Sequence, residues 1–283
     1  MATTDVRVIS LQPNPPLLAR VKRDFGDHAK LAPAVDTRRV SANSLVKSGL
    51  ISLNAAEALE AGRKWHKELP SAGAVGLYHT NRLIMHEGKG AVLILEDDCS
   101  YDLARLKREL QRLLALGDSV DVAVFGARRV HDTETTPSDM GGGWVRFVKG
   151  GFWYAHCVFY SAAGRRKMRK YLRLQQEAQY DYYIAMLGSR GMLRVHLNHD
   201  YGIAWQSGRT TTLQTDVCLL CYLPGSVSAR IGHIVLLTAM MVLLSYALFC
   251  QRYRSRTSPE ICRPGRAGSC SRVARTARFA TPA

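Results

Sequence analysis

Three adjacent acids follow an apolar run, and side chains of this kind can bind a divalent cation. Five apolar residues at 91–95 lead directly into Glu96, Asp97 and Asp98. Neighbouring carboxylates raise one another's pKa unless a cation compensates their charge, and hard oxygen ligands suit Mg²⁺ or Mn²⁺ bridging the phosphates of a substrate. The alternative is that these acids cap a helix that starts near Leu103.

The elements around the acids predict an α/β fold. Short apolar runs typical of strands alternate with patterns typical of helices over the first 215 residues. This alternation predicts a mainly parallel sheet covered on both faces, and ligands of such sheets bind at the carboxyl ends of the strands, where the acids lie. The predicted strands are 6–11, 91–95, 120–125 and 152–160, and the predicted helices are 104–116, 163–176, 180–187 and a stretch capped by Asn54.

The charge of the chain is unevenly distributed. The 283 residues carry 39 Lys and Arg against 23 Asp and Glu, a net charge of +16. Eight arginines and one acid, Glu260, predict a disordered basic tail over 252–283. Nucleic-acid binding is one interpretation of such a charge, but the sequence has no nucleic-acid motif and we expect no nucleic-acid partner. A second basic cluster at 165–170 is expected to be a solvated helix face.

An uncharged apolar stretch predicts a membrane span. Residues 231–251 contain no charged side chain, and about 20 such residues cross a bilayer as a helix. We therefore expect a domain over 1–215, a linker over 216–230 and one transmembrane helix over 231–251, with membrane lipid as a partner. A buried core helix is the alternative. The side of the membrane stays open, because the arginine-rich tail favours the cytoplasm whereas the N-terminus shows no signal peptide that would export the domain.

Several short segments are informative as an ordered set. They are, in sequence, VISL at 8–11, APAVD at 32–36, GLYHTNRLIMHEG from Gly76, the strand ending in Glu-Asp-Asp at 96–98, DVAVFGA at 121–127, AHCVFYSAAGRRKM from Ala155 and QYDYYIAML from Gln179. Together they resemble glycosyltransferase family 25, the group of lipopolysaccharide-synthesis and procollagen galactosyltransferases. The resemblance covers 6–213.

This resemblance implies a GT-A-like nucleotide-sugar fold and an enzyme that transfers a hexose. The implied donor is a UDP-sugar, with galactose favoured, and the acceptor is a hydroxyl of a glycan, lipid or protein. Transfer is expected to invert the anomeric carbon and to require Mn²⁺ or Mg²⁺. The implied site residues are the catalytic base Asp181, the donor contacts Asp36, Glu96 and Asp97, and the metal ligands Glu96, Asp98 and His199.

The sequence also departs from the family pattern. Family members carry a Ser-His pair where this chain has His79 and Thr80, and QPNPP separates the first strand from Arg20 and Arg23, which could contact a diphosphate. Asp181 could alternatively cap a helix over 182–188. A chain with these departures could be a catalytically inactive transferase-like adhesion or scaffold protein, which is the alternative function.

Overall fold

The structure is a computed structural model and describes residues 4–62, 67–130, 132–207 and 240–248. The chain separates into two compact units, Met1–Ala229 and Arg230–Ala283. The predicted linker over 216–230 and basic tail over 252–283 lie outside the described residues, as does the predicted end of the globular domain at 215. These boundaries stay predictions.

The first unit alternates helices and strands. The helices are α1 (Pro15–Phe25), α2 (Ala42–Lys47), α3 (Leu53–Glu60), α4 (Ala72–Glu87), α5 (Leu103–Leu116), α6 (Ala162–Tyr171) and α7 (Tyr180–Ser189). The strands are β1 (Asp5–Ser10), β2 (Ala29–Pro33), β3 (Val92–Glu96), β4 (Cys99–Tyr101), β5 (Val122–Phe125), β6 (Arg128–Arg129), β7 (Glu134–Pro137), β8 (Trp144–Lys149), β9 (Phe152–Trp153), β10 (Cys157–Tyr160), β11 (Val195–Asn198) and β12 (Ala204–Gln206).

The central sheet has eight strands in the order β2-β1-β3-β10-β5-β11-β8-β7. Neighbours β2, β1 and β3 are parallel, as are β5 and β11, whereas β10 and β8 run antiparallel to their neighbours. The predicted α/β class is confirmed, and the sheet is mixed, with most strands pointing in one direction. The reversal of β10 places the residue before it beside the carboxyl end of β3. Two further pairs, β4 with β12 and β6 with β9, form small separate sheets.

Side chains on both faces of the central sheet are buried. On β3, Val92 and Ile94 pack in a cluster with residues of α4, α6 and α7, whereas Leu93 and Leu95 pack with residues of α1 and α5. Alternate residues of a strand point to opposite faces, so helices cover the sheet on both sides. Full burial of each such side chain contributes about 1.5–3 kcal/mol, which explains why the strand carries no polar face.

Three predicted elements have different ends in the structure. Helix α3 starts after Ser52, whose hydroxyl accepts a hydrogen bond from the Ala55 amide, so Asn54 lies inside the helix and does not cap it. Helix α6 ends at Tyr171 and does not continue to 176. The strand predicted over 152–160 is interrupted, because Tyr154 has a φ of 70° and cannot continue an extended ladder.

The prediction of a solvated basic face on α6 is wrong for Arg165 and Arg169. Arg165 is 1% exposed and donates a 2.6 Å hydrogen bond to the carbonyl of Ile84, and Arg169 donates to the carbonyl of Met85 over 3.1 Å. These oxygens belong to the last turn of α4, where carbonyls lack intrahelical partners. Arg165 also pairs with Asp5 at 3.3 Å. The two arginines therefore join α6 to the end of α4.

Residues 240–248 of the second unit form a helix with exposed side chains. Within the residues that the structure describes, no helix is both long enough and apolar enough to span a membrane. Most of the predicted span over 231–251 lies outside those residues, and the span stays a prediction.

Candidate functional site

The three acids lie where β3 ends. Glu96 is the last residue of the strand, and Asp97 and Asp98 form the turn that follows. The acids do not cap the next helix, because the side chain of Asp102 accepts the hydrogen bond from the Arg105 amide at the start of α5. The capping alternative is therefore excluded, and the carboxylates are available for other partners.

Side chains from β1 and β12 fix the orientation of two of these carboxylates. The hydroxyl of Ser10, at the end of β1, donates a 2.9 Å hydrogen bond to Asp97. The amide of Gln206, at the end of β12, donates a 2.6 Å hydrogen bond to Oδ2 of Asp98. The other oxygen of Asp98, Oδ1, is buried and has no hydrogen-bond partner among the described residues. Leaving such an oxygen unpaired is costly, so Oδ1 is a natural ligand atom.

The interruption between β9 and β10 brings a histidine beside the acids. The carbonyl of His156 accepts a 2.9 Å hydrogen bond from the Glu96 amide, and its ring lies edgewise to Tyr154 with 6.1 Å between the centroids. The ring of this histidine is buried, and a hydrogen bond with the backbone of Ala204 acts on its pKa. Gly126 lies against the neighbouring backbone: a Cβ there would lie 2.3 Å from the Ala204 carbonyl oxygen, whereas its distance of 3.4 Å to the His156 ring would be an ordinary contact.

Glu96 forms part of the wall of two cavities. The first has a volume of about 50 Å³, and its charged lining residues are Arg38, Glu96 and Asp97. The second has a volume of about 70 Å³, and Glu96 lines it together with His156 and Asp181. The structure therefore brings together the predicted donor contacts Glu96 and Asp97 on one side and the predicted base on the other.

Arg38 is the positively charged residue that lines the first cavity. It is not among the site residues that we predicted from the sequence. Its guanidinium donates hydrogen bonds of 2.9 and 2.8 Å to the two oxygens of Asp36. These bonds lower the pKa of Asp36 to about 2. Asp36 itself does not line the cavity. It orients Arg38, and Arg38 lines the cavity. The only signal in the sequence is a basic residue two positions after an acid, a pattern that is too common to be informative by itself.

Helix α4 holds the loop that carries this pair. The hydroxyl of Thr80 accepts a 2.8 Å hydrogen bond from the Val35 amide and donates one of 2.8 Å to the carbonyl of Gly76. A Cβ at Gly76 would lie 1.9 Å from the Val35 carbonyl oxygen, so only glycine allows this approach. His79 is buried and its Nε2 faces a backbone carbonyl at 3.2 Å. The glycine-led helix thus positions the wall of the first cavity through Gly76 and Thr80.

Asp181 lies within α7, in its first turn. The helix begins at Tyr180 and its capping residue is Gln179, so the alternative in which Asp181 caps a helix over 182–188 is wrong. Asp181 is 8% exposed and lines the second cavity. An acid in the first turn is also favoured by the helix dipole, which stabilises its charged form.

The electrostatics of the site disfavour a negative charge on Glu96. Burial and then the carboxylates of Asp98 and Asp181 raise the pKa of Glu96 well above its ordinary value. Burial lowers the pKa of His156, although the charge of Asp98 acts in the opposite direction. A cation placed at these carboxylates would relieve the repulsion and would meet a neutral histidine.

His199 follows β11 and is held by its Nδ1, which lies 2.6 Å from the carbonyl oxygen of Ala127. A carbonyl only accepts, so Nδ1 donates this hydrogen bond, and in the neutral tautomer Nε2 is the nitrogen with the lone pair, as in many metal-binding histidines. Nε2 is buried without a hydrogen-bond partner among the described residues. Within those residues, however, no group of three or more His, Cys, Asp or Glu side chains is arranged to hold a metal ion. The metal role of His199 stays a prediction.

The two arginines near the N-terminus do not line either cavity. The guanidinium of Arg20 lies 4.7 Å from the ring centroid of Tyr101 and donates to the carbonyl of Cys99 over 3.4 Å. Arg23 is paired with Asp24 at 3.6 Å. Arg20 therefore contacts β4, and Arg23 has its partner within α1.

No family model matches the chain, and no curated protein matches it. Among solved structures, a UDP-glucose pyrophosphorylase complexed with UDP-glucose is 9% identical with a TM-score of 0.37 and covers 72% of this chain and 93% of that chain. A mannose-1-phosphate geranyltransferase from Thermus thermophilus is 14% identical with a TM-score of 0.32, over 69% of this chain and 73% of that chain. Mouse xyloside xylosyltransferase 1 in its apo form is 12% identical with a TM-score of 0.29, and the match covers 69% of this chain and 78% of that chain. At these scores and identities the likeness assigns neither a family nor an activity to this chain.

Proposed function

We propose that this protein is a glycosyltransferase that moves a hexose, with galactose favoured, from a UDP-sugar to a hydroxyl of a glycan, lipid or protein. One observation carries the proposal: Glu96 lies between a cavity that contains Arg38 and a cavity that contains Asp181. A transfer reaction needs such a pair of spaces, because the anionic leaving group and the acceptor hydroxyl must both reach one carbon atom. The proposal agrees with the resemblance to glycosyltransferase family 25.

The diphosphate of the donor would lie at the first cavity. Asp36 occupies Nε and Nη2 of Arg38, which leaves Nη1 for a phosphate oxygen. Glu96 and Asp98 would hold Mn²⁺ or Mg²⁺, and such ions often need only one or two protein carboxylates when substrate phosphates complete the shell. The unpartnered Oδ1 of Asp98 and the repulsion at Glu96 support this assignment. When bound, the ion supplies positive charge that offsets the diphosphate.

The acceptor would lie in the second cavity beside Asp181. The Asp181 carboxylate takes the proton of the acceptor hydroxyl, whose oxygen forms a bond to the anomeric carbon. The bond between that carbon and the phosphate oxygen breaks, and its electron pair leaves with UDP. Arg38 stabilises the charge that develops on the diphosphate. His156 lines the same cavity, and its ring would hydrogen-bond substrate hydroxyls.

The full-length protein, Mn²⁺ and a panel of UDP-sugars test the proposal. We expect release of UDP, fastest from UDP-galactose, and we expect Asp98→Ala to abolish the release while the thermal melt stays nearly unchanged. If no UDP-sugar is cleaved and UDP with Mn²⁺ does not raise Tm, the proposal fails and the inactive adhesion or scaffold alternative is favoured.

Membrane attachment through 231–251 is a second part of the proposal. It is supported by the absence of charged residues from this stretch and by the exposed apolar side chains of the helix at 240–248. Alkaline carbonate extraction of membranes tests it. The full chain should resist extraction and a chain lacking 231–283 should be released, whereas release of both would contradict attachment through this stretch.

A further inference from the structure

A third cavity lies apart from the candidate site. Its volume is about 420 Å³, within the range of small-molecule binding sites. The segment that follows α6 and the later residues of α7 form its walls, and it shares no lining residue with the two cavities at Glu96. The proposed transfer reaction makes no use of this space.

Three cations surround the cavity, and no acid neutralises them directly. Lys170, Arg173 and Arg190 line it together with a single acid, Glu177. All four side chains are exposed, and in the described part of the chain none of them forms a salt bridge. Other positively charged side chains of α6 are held by structural hydrogen bonds, as the buried Arg165 shows. Lys170 lies 5.9 Å from the ring centroid of Tyr171, and within the described residues the charges of Arg173 and Arg190 are not paired with an acid and are available for an anion.

Apart from Gln175, the rest of the wall is aromatic or aliphatic. Tyr183 is fixed, because its hydroxyl donates a 2.5 Å hydrogen bond to the Tyr171 carbonyl and its ring lies edgewise to Tyr78 with 5.8 Å between centroids. Met186 and Met192 line the same cavity. Methionine side chains adapt to the shape of what they contact, so a rigid aromatic wall and an adaptable one enclose the space.

We propose that this cavity binds a phosphate monoester whose organic part is apolar. A phosphate monoester carries a charge of about −1.5 to −2 near neutral pH, which matches the excess of cations over acids here, whereas a carboxylate would neutralise only part of it. The planar guanidinium groups of Arg173 and Arg190 suit phosphate oxygens. The apolar part would lie against Tyr183 and the two methionines. The source is either a soluble phosphorylated molecule or the headgroup of a phosphatidic-acid-like lipid, which share this chemistry.

Titration calorimetry of the full-length protein with hexyl phosphate tests the assignment. We expect saturable binding, at least about tenfold tighter than that of inorganic phosphate or hexanol alone. Arg173→Glu combined with Arg190→Glu should weaken binding by at least about tenfold. The matched control is Lys107→Glu with Arg108→Glu, the same charge change on exposed residues of α5. Thermal melts establish that both variants are folded, and Arg173→Gln with Arg190→Gln serves if the Glu variant is not.

Vesicles distinguish the two sources. Retention on phosphatidic acid vesicles that drops for the Arg173 and Arg190 variant but not for the control assigns a lipid headgroup, because the basic tail contributes equally to both proteins. Binding of hexyl phosphate without this difference assigns a soluble ligand. The proposal is overturned if hexyl phosphate does not bind, if it binds no better than inorganic phosphate, or if the control variant weakens binding as much.

Discussion

The backbone amide of Glu96 and the carbonyl oxygen of His156 are joined by a 2.9 Å hydrogen bond. Because β10 runs antiparallel to β3, the residues before β10 lie next to the residues that end β3. Main-chain pairing thus places the histidine beside the acids. Side-chain substitutions at either position should therefore leave the other in place, which makes the site suitable for mutation.

Glu96→Gln should stabilise the cation-free protein at alkaline pH and abolish transfer. Folding raises the pKa of Glu96 above its ordinary value of 4.5. The folded state is therefore favoured while the group is protonated, and it loses stability as the pH rises through the folded pKa. Glutamine cannot ionise, so the variant should not show this loss, and Tm should rise by about 2–4 °C for each kcal/mol recovered.

Thermal melts in EDTA at about pH 5 and about pH 8 measure this effect. Glu57→Gln, at an exposed position of α3, is the matched control and should behave as the wild type. A Glu96→Gln protein that melts below the wild type at the higher pH would contradict the prediction.

Mn²⁺ should raise the Tm of the wild type in a manner that depends on the carboxylates of β3 and its turn. Binding to the folded state alone stabilises by about 2.7 kcal/mol at a hundredfold excess over Kd. Asp98→Asn should remove most of the shift, whereas Asp27→Asn, in an exposed loop, should retain it. Equal shifts in the two variants would show that the ion binds elsewhere.

Asp181→Asn should lower kcat for transfer by about 10²–10⁴-fold, the usual contribution of a general base. The side chain keeps its shape, so Tm and the KM for the donor should stay close to those of the wild type. Steady-state kinetics with a donor and an acceptor measure both parameters, and the exposed Asp139→Asn is the control. Unchanged kcat would remove Asp181 from the mechanism.

Arg38→Lys should raise the KM for the donor by about tenfold, because lysine cannot bind a carboxylate and a phosphate through one planar group. Arg39→Lys makes the same change at the next residue, which does not line the cavity, and should have little effect. Since the pKa of Asp36 is about 2, the Asp36–Arg38 pair stays ionised above that value and should add no pH dependence near neutrality. Similar KM values for the two variants would argue against phosphate binding by Arg38.

Gly126→Ala should destabilise the protein more than Gly141→Ala does. Both glycines have positive φ, 66° and 64°, and alanine at either position costs about 1–2 kcal/mol of backbone strain. A Cβ at Gly141 has open space around it, but at Gly126 it would meet the Ala204 carbonyl oxygen at 2.3 Å. Urea unfolding gives the free energy of unfolding of both variants, and the difference between them isolates the steric contribution at Gly126. Equal losses of stability would show that the chain relaxes around the added methyl group without cost.

The sequence predicted features correctly where they depend on a single strand or helix. The apolar run before Glu96 predicted both β3 and the place of the acids, because period and composition are local properties. Arg38 could not be found in this way, since the cavity that it lines is formed by residues distant along the chain. The prediction for Arg165 was wrong for the same reason. A positively charged residue in a basic helix is usually solvated, but here the carbonyls at the end of α4, which lack intrahelical partners, bind it. The interruption at Tyr154 rests on a positive φ at a residue that is not glycine, a backbone conformation that the residue type does not predict.

The wall that Glu96 contributes to two cavities limits how substrate choice can change. A longer or shorter side chain at this position would reshape both spaces at once, so under the proposed function the preference for a donor and the preference for an acceptor should change together there. Arg38 lines only the first cavity and Gln206 only the second. Altered specificity for one substrate, with the other retained, should be sought at those two residues.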